Sequence, residues 1–126
     1  MKAAAVLLAW ICASSAAALA QQADPIPVLT AELRAHAPAN WEVRVRWRDG
    51  QLLASVTPWP YQAAFELWYD TPRLIEALKD LCPRPNEDIW KEIEPMQDVI
   101  LEPTVGGKSG IEARVSCRHV ARLGTN

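Results

Sequence analysis

The strongest constraint on the fold lies in residues 41–57, where two apolar alternations flank an Asp-Gly pair. Trp41, Val43, Val45 and Trp47 alternate with Glu42, Arg44, Arg46 and Arg48, the period-two pattern of a strand with one dry and one wet face. Asp49-Gly50 is a pair that accepts the backbone of a type I′ turn, and a two-residue loop fixes the register of the strands it joins. Arg48 then pairs with Gln51, Trp47 with Leu52, Val45 with Ala54 and Val43 with Val56, apolar against apolar on one face. On the other face Arg46 meets Leu53, Arg44 meets Ser55 and Glu42 meets Thr57. A slip of one residue would move every apolar side chain to the wrong face, so the register is strongly specified.

A hairpin with one dry face needs a covering layer. Leu74, Ile75, Leu78, Leu81 and Cys82 fall on one side at helical spacing. Thr71 and Pro72 supply an N-cap and a first helical residue, and Pro83 stops the run. Shorter helices are expected over 31–37, capped by Thr30 and closed by Pro38, and over 87–92, capped by Asn86 and ended by Pro95. Residues 64–69 alternate Phe65, Leu67 and Tyr69 against Glu66 and Trp68, which predicts a third strand. Residues 99–105 and 111–117 read as a second hairpin about Gly106-Gly107-Lys108-Ser109-Gly110. Cys82 then lies on the dry side of the main helix and Cys117 on the dry side of the last strand, two surfaces that meet in one core. The expected fold class is α+β: an antiparallel sheet of about five strands, covered on one face by a helix and closed by one Cys82–Cys117 disulfide.

The first 20 of the 126 residues have a different grammar. Lys2, an apolar run and a small-residue end at Ala18-Leu19-Ala20 predict a secretory signal peptide. Residues 21–29, with Pro25 and Pro27, are expected to be a flexible mature N-terminus, and residues 30–126 a single domain. Cys12 falls within the leader and follows Ile11, where a lipidated cysteine needs a small residue. Cleavage leaves Cys82 and Cys117, an even pair suited to an oxidising compartment. The expected location is therefore periplasmic or secreted, with no transmembrane segment in the mature chain.

Loss of Lys2 lowers the 13 Lys and Arg to 12 against 15 Asp and Glu, a net −3, so no nucleic-acid partner is expected. The charges are segregated. Glu87, Asp88, Glu92, Glu94, Asp98 and Glu102 crowd one stretch, whereas Arg44, Arg46, Arg48, Arg114 and Arg118 all take the polar phase of expected strands. Helical cover on the dry face would leave these five arginines on the open face, beside Trp68 and Leu53. Guanidinium groups bind carboxylates and phosphates in bidentate fashion, and exposed tryptophan is a frequent interface anchor. Trp59, held between Pro58 and Pro60, joins Trp68 as a contact residue. Trp41, Trp47 and Trp90 are assigned to the core.

No catalytic constellation emerges from the spacing. His36 and His119 lack partners at metal-ligand spacing, so no metal or other cofactor is expected. Gly107-Lys108-Ser109 resembles the end of a phosphate-binding loop, but Glu102 stands where its first glycine belongs. Ile111 likewise replaces the closing glycine of a nucleophile elbow. These features predict a non-enzymatic binding protein, for instance an inhibitor or envelope-interaction module. Its partner would be a protein with an acidic surface or an anionic envelope polymer. The alternative is a small periplasmic hydrolase using two carboxylates between Glu87 and Glu102.

Overall fold

The computed structural model describes residues 24–124; the leader and residues 21–23 lie outside the described residues. The first helix, α1, spans Pro25–His36, followed by strands β1 (Glu42–Arg48) and β2 (Gln51–Thr57). Helices α2 (Tyr61–Trp68), α3 (Thr71–Lys79) and the single turn α4 (Ile89–Glu92) lead to strand β3 (Val99–Val105). Two short strands, β4 (Lys108–Ser109) and β5 (Val115–Ser116), flank a 3₁₀ turn at Ile111–Ala113, and α5 (Cys117–Gly124) follows. The architecture is α+β, with a five-stranded mixed sheet and a Cys82–Cys117 disulfide whose Cα atoms are 5.2 Å apart.

The first hairpin has the expected register at all seven pairs, from Arg48 opposite Gln51 to Glu42 opposite Thr57. Asp49 and Gly50 have φ of 53° and 78°, the left-handed pair that lets a two-residue loop follow the right-handed twist of the strands. The inner face carries Val43, Leu52, Ala54, Val56, Val99, Leu101 and Val115. These pack with Leu29 and Leu33 of α1, Leu74 and Leu78 of α3, and Leu81, Ile89 and Cys117 in one core. The disulfide thus ties the end of the α3 segment to the start of α5 inside that core.

Several elements differ from expectation. Residues 64–68 belong to helix α2, with Tyr69 as its C-cap, rather than to a third strand. Short apolar runs fit either period, and Ala63, Ala64, Glu66 and Leu67 are good helix formers. The place beside β2 is taken by β3, which pairs with it in parallel, Leu52 with Val99 through Val56 with Pro103. A parallel pair needs a crossover, and residues 58–98 provide it. The sheet is therefore mixed, with its other pairings antiparallel.

The second hairpin is much shorter than 99–105 against 111–117. Thr104 and Val105 pair with Ser109 and Lys108, and Ile100 and Leu101 pair with Ser116 and Val115. Between these ladders the chain leaves the sheet opposite Pro103, which has no N–H to donate. Cys117 starts a helix rather than ending a strand.

Helix starts also move. α1 begins at Pro25, capped by Asp24, whose side chain accepts the Ile26 N–H at 3.0 Å. Prolines are tolerated there because first-turn N–H groups have no partner within the helix. Leu29 is consequently a core residue rather than part of a flexible terminus, and Thr30 lies inside the helix, donating to Ile26 O. Asp70, not Thr71, caps α3 by accepting the Arg73 N–H. α4 starts at Ile89, because Glu32 reaches across from α1 to accept the Ile89 N–H at 3.2 Å in place of a cap from Asn86. Trp47, at the turn end of edge strand β1, is 43% exposed rather than buried; Trp41 and Trp90 are half-buried against the core.

Candidate functional site

The outer face of the sheet is built from the alternate residues of the same strands: Arg44, Arg46 and Arg48 on β1, Leu53, Ser55 and Thr57 on β2, and Ile100, Glu102 and Thr104 on β3. None of them joins the main core. Leu53 and Glu102 are nonetheless 4% and 2% exposed, so this face carries a thin layer of its own, roofed by long side chains. Glu102 receives a hydrogen bond from the Arg114 guanidinium, whose side chain remains 35% exposed.

Two clefts open on this face. One, of about 350 Å³, is lined by Glu42, Arg44, Arg46, Ser55, Thr57 and Thr104. Its floor holds a hydroxyl pair, Thr57 Oγ1 to Thr104 Oγ1 at 2.7 Å. Arg44 lies 2.7 Å from Glu42 in an exposed pair, an interaction weak enough to exchange for another carboxylate. Arg46 is exposed and has no acidic partner among the described residues. The other cleft, of about 170 Å³, is lined by Arg48, Asp49, Gln51, Leu53, Ile100 and Arg114. Arg48 sits 3.9 Å from Asp49, both exposed. Arg44, Arg46 and Arg48 thus share a solvent-facing cationic edge, with hydroxyls beside it and one buried, already neutralised carboxylate.

The remaining expected site residues lie elsewhere. Arg118 belongs to α5, so strand phase does not govern it. Its Nε donates to Gln97 O at 2.7 Å and its Nη2 to Glu94 O at 3.1 Å, and the guanidinium lies 4.9 Å from the Trp90 ring centre. It fastens α5 to the segment before β3. Trp59 is 55% exposed, preceding the cis peptide to Pro60. Trp68, on α2, packs beside Gly110. Neither tryptophan lines a cleft with the arginines.

The acids of 87–102 are dispersed. Glu87 meets His36 Nε2 at 2.5 Å and accepts the Arg84 N–H at 2.9 Å. Asp98 accepts from Ser116 Oγ and from the Val99 and Arg118 N–H groups. Glu102 is bound by Arg114, while Asp88, Glu92 and Glu94 face solvent. None of the five clefts described for this chain is lined by two carboxylates. Among the described residues no group of three His, Cys, Asp or Glu side chains is placed to hold a metal, and no helix is long and apolar enough to cross a membrane.

Two features escape a sequence reading. The Glu102–Arg114 bond depends on where residues 110–116 leave and rejoin the sheet. Glu32 is the other: one carboxylate oxygen accepts the Ile89 N–H, and the second is buried without a partner. Burial, assisted by the nearby charges of Glu87 and Asp88, holds its carboxyl above the usual carboxylate range against the opposing backbone hydrogen bonds. Helical spacing shows Glu32 only as a charge on α1 next to Leu33; its partner is remote in sequence. Comparison of the chain with family models, with curated proteins and with solved structures finds no match.

Proposed function

We propose that this chain is a non-enzymatic binding protein of an exported compartment, which captures a carboxylate-rich macromolecule on the outer face of its sheet. The observation that carries this reading is the exposed row Arg44, Arg46 and Arg48 on an edge strand, with Arg46 unpaired beside the hydroxyl-lined cleft. An acidic protein surface or an anionic envelope polymer supplies the matching groups, and bidentate guanidinium contacts give both attraction and geometry. Arg114 belongs to the fold of this face, because its charge is spent on Glu102. Trp59 is a candidate apolar contact, and Arg118 is engaged elsewhere. Export is supported by the leader-like first 20 residues and by a disulfide in the core.

The reading is tested by coupling the mature protein to a surface and measuring capture of envelope proteins and of poly-glutamate at low and high salt. Capture that falls with salt and is lost in the Arg44→Gln/Arg46→Gln/Arg48→Gln variant, with its melting temperature unchanged, supports it. Capture unaffected by the three substitutions overturns it.

A further inference from the structure

Another cleft lies away from the arginine face, between the start of α3, the indole of Trp68 and residues 109–113. It measures about 350 Å³ and is lined by Trp68, Thr71, Leu74, Ser109, Ile111 and Glu112, with Gly110 and Ala113 completing the wall. Gly110 is what lets this wall close: a Cβ there would stand 2.9 Å from the Pro103 ring and 3.3 Å from the Trp68 ring. The backbone therefore lies directly against the indole.

The chemistry of the lining selects the sign of a ligand. Glu112 is the only charged residue on it, exposed and in no ion pair among the described residues. Trp68 contributes its indole to the lining, and an indole π system attracts cations through its quadrupole. Leu74, Ile111 and Ala113 give apolar surface, and Thr71 and Ser109 give hydroxyls that can accept N–H bonds. A carboxylate and a π face both repel anions, and the aliphatic wall suits a short hydrocarbon arm. Of the bases next to this lining in sequence, Arg114 is bonded to Glu102, and Lys108 lines a different, smaller cleft with Tyr61, Phe65 and Tyr69.

We infer that the Trp68–Glu112 cleft binds an organic ammonium group carried on an aliphatic arm, either a lysine side chain of a partner peptide or a free alkylamine. The site is independent of the arginine face and opposite to it in charge preference, so a failure of either leaves the other standing.

The experiment is an NMR titration of the whole mature protein, following the Trp68 indole N–H. The probes are n-butylammonium and the peptide acetyl-Ala-Lys-Ala-amide; controls are the same peptide with norleucine, or with acetylated lysine, in place of lysine. Both ammonium probes should give saturable shifts and both controls none. Glu112→Gln, at an exposed position, should weaken binding about fivefold, and Trp68→Leu should do so as well. Should Trp68→Leu misfold, Glu112→Gln alone carries the test. A lysine peptide that binds more tightly than butylammonium identifies a peptide-borne lysine; equal affinity identifies a free amine. Equal binding of the norleucine peptide, an unchanged affinity in Glu112→Gln, or no saturation at high millimolar ligand overturns the assignment.

Discussion

Replacing Arg114 with methionine keeps much of the hydrocarbon stem but leaves Glu102, 2% exposed, without its partner. Stripping one member from a buried pair costs about 3–5 kcal/mol, since a carboxylate is then held out of water uncompensated. Arg114 is itself 35% exposed, so water reaches the site and the cost falls to roughly 2–3 kcal/mol. For a domain of this size, at about 4 °C per kcal/mol, that is a drop of roughly 10 °C in melting temperature. Thermal and urea denaturation followed by circular dichroism measure both quantities. The companion variant Glu102→Gln/Arg114→Met removes the charge together with its partner and should recover most of the loss. Arg46→Gln, with no partner to abandon, should stay within about 0.5 kcal/mol of the parent. An Arg114→Met protein as stable as the parent, or a double variant no better than the single one, would refute the assignment of Arg114 to the fold.

Other outcomes follow from single features. Glu32 holds its proton more tightly folded than unfolded, so its ionisation lowers stability as pH rises through the interval between the ordinary carboxyl value and the raised one. Glu32→Gln keeps an acceptor for the Ile89 N–H and should be more stable than the parent at neutral pH. That advantage should vanish in acid; a pH-independent difference would exclude the mechanism. Replacing Cys82 and Cys117 with alanine opens a loop with a sequence separation of 35 and should cost roughly 3–4 kcal/mol by the loop-entropy relation. Urea midpoints under non-reducing conditions would show it, and an unshifted midpoint would mean the bond contributes nothing to stability.

What could be read from the chain followed from how local the determining interactions are. The hairpin was legible to the residue, because the Asp49-Gly50 turn and both alternations lie within one short segment. The disulfide followed because Cys82 and Cys117 each sit at an apolar position, although Cys117 opens a helix rather than closing a strand. Residues 64–69 carry the pattern of a strand because Phe65, Leu67 and Tyr69 satisfy a period of two, while Tyr61, Phe65 and Tyr69 also satisfy a period near four, that of the helix the chain forms. Only the occupation of the space beside β2 by β3 decides between them. The arginine site divided for the same reason. Arg44, Arg46 and Arg48 depend on hairpin phase alone and share the outer face as expected. Arg114 and Arg118 depend on where the chain departs from β3, which rests on contacts across the sheet rather than on local pattern. Glu32 and the Trp68–Glu112 cleft join segments far apart in sequence and leave no local signature.

The parallel pairing of β2 with β3 also sets the order in which this molecule can assemble. The first hairpin is entirely local and can close within microseconds, whereas β3 reaches β2 only after residues 58–98 have been gathered into the crossover. Loop closure over such a span makes that step slow. Until then one edge of β2 stands open with Leu52, Ala54 and Val56 uncovered, a template for strands of other chains. Early refolding is therefore the stage most exposed to aggregation, and its yield should fall as protein concentration rises. β3, flanked by β2 on one side and by β4 and β5 on the other, is the strand whose arrival ends that exposure.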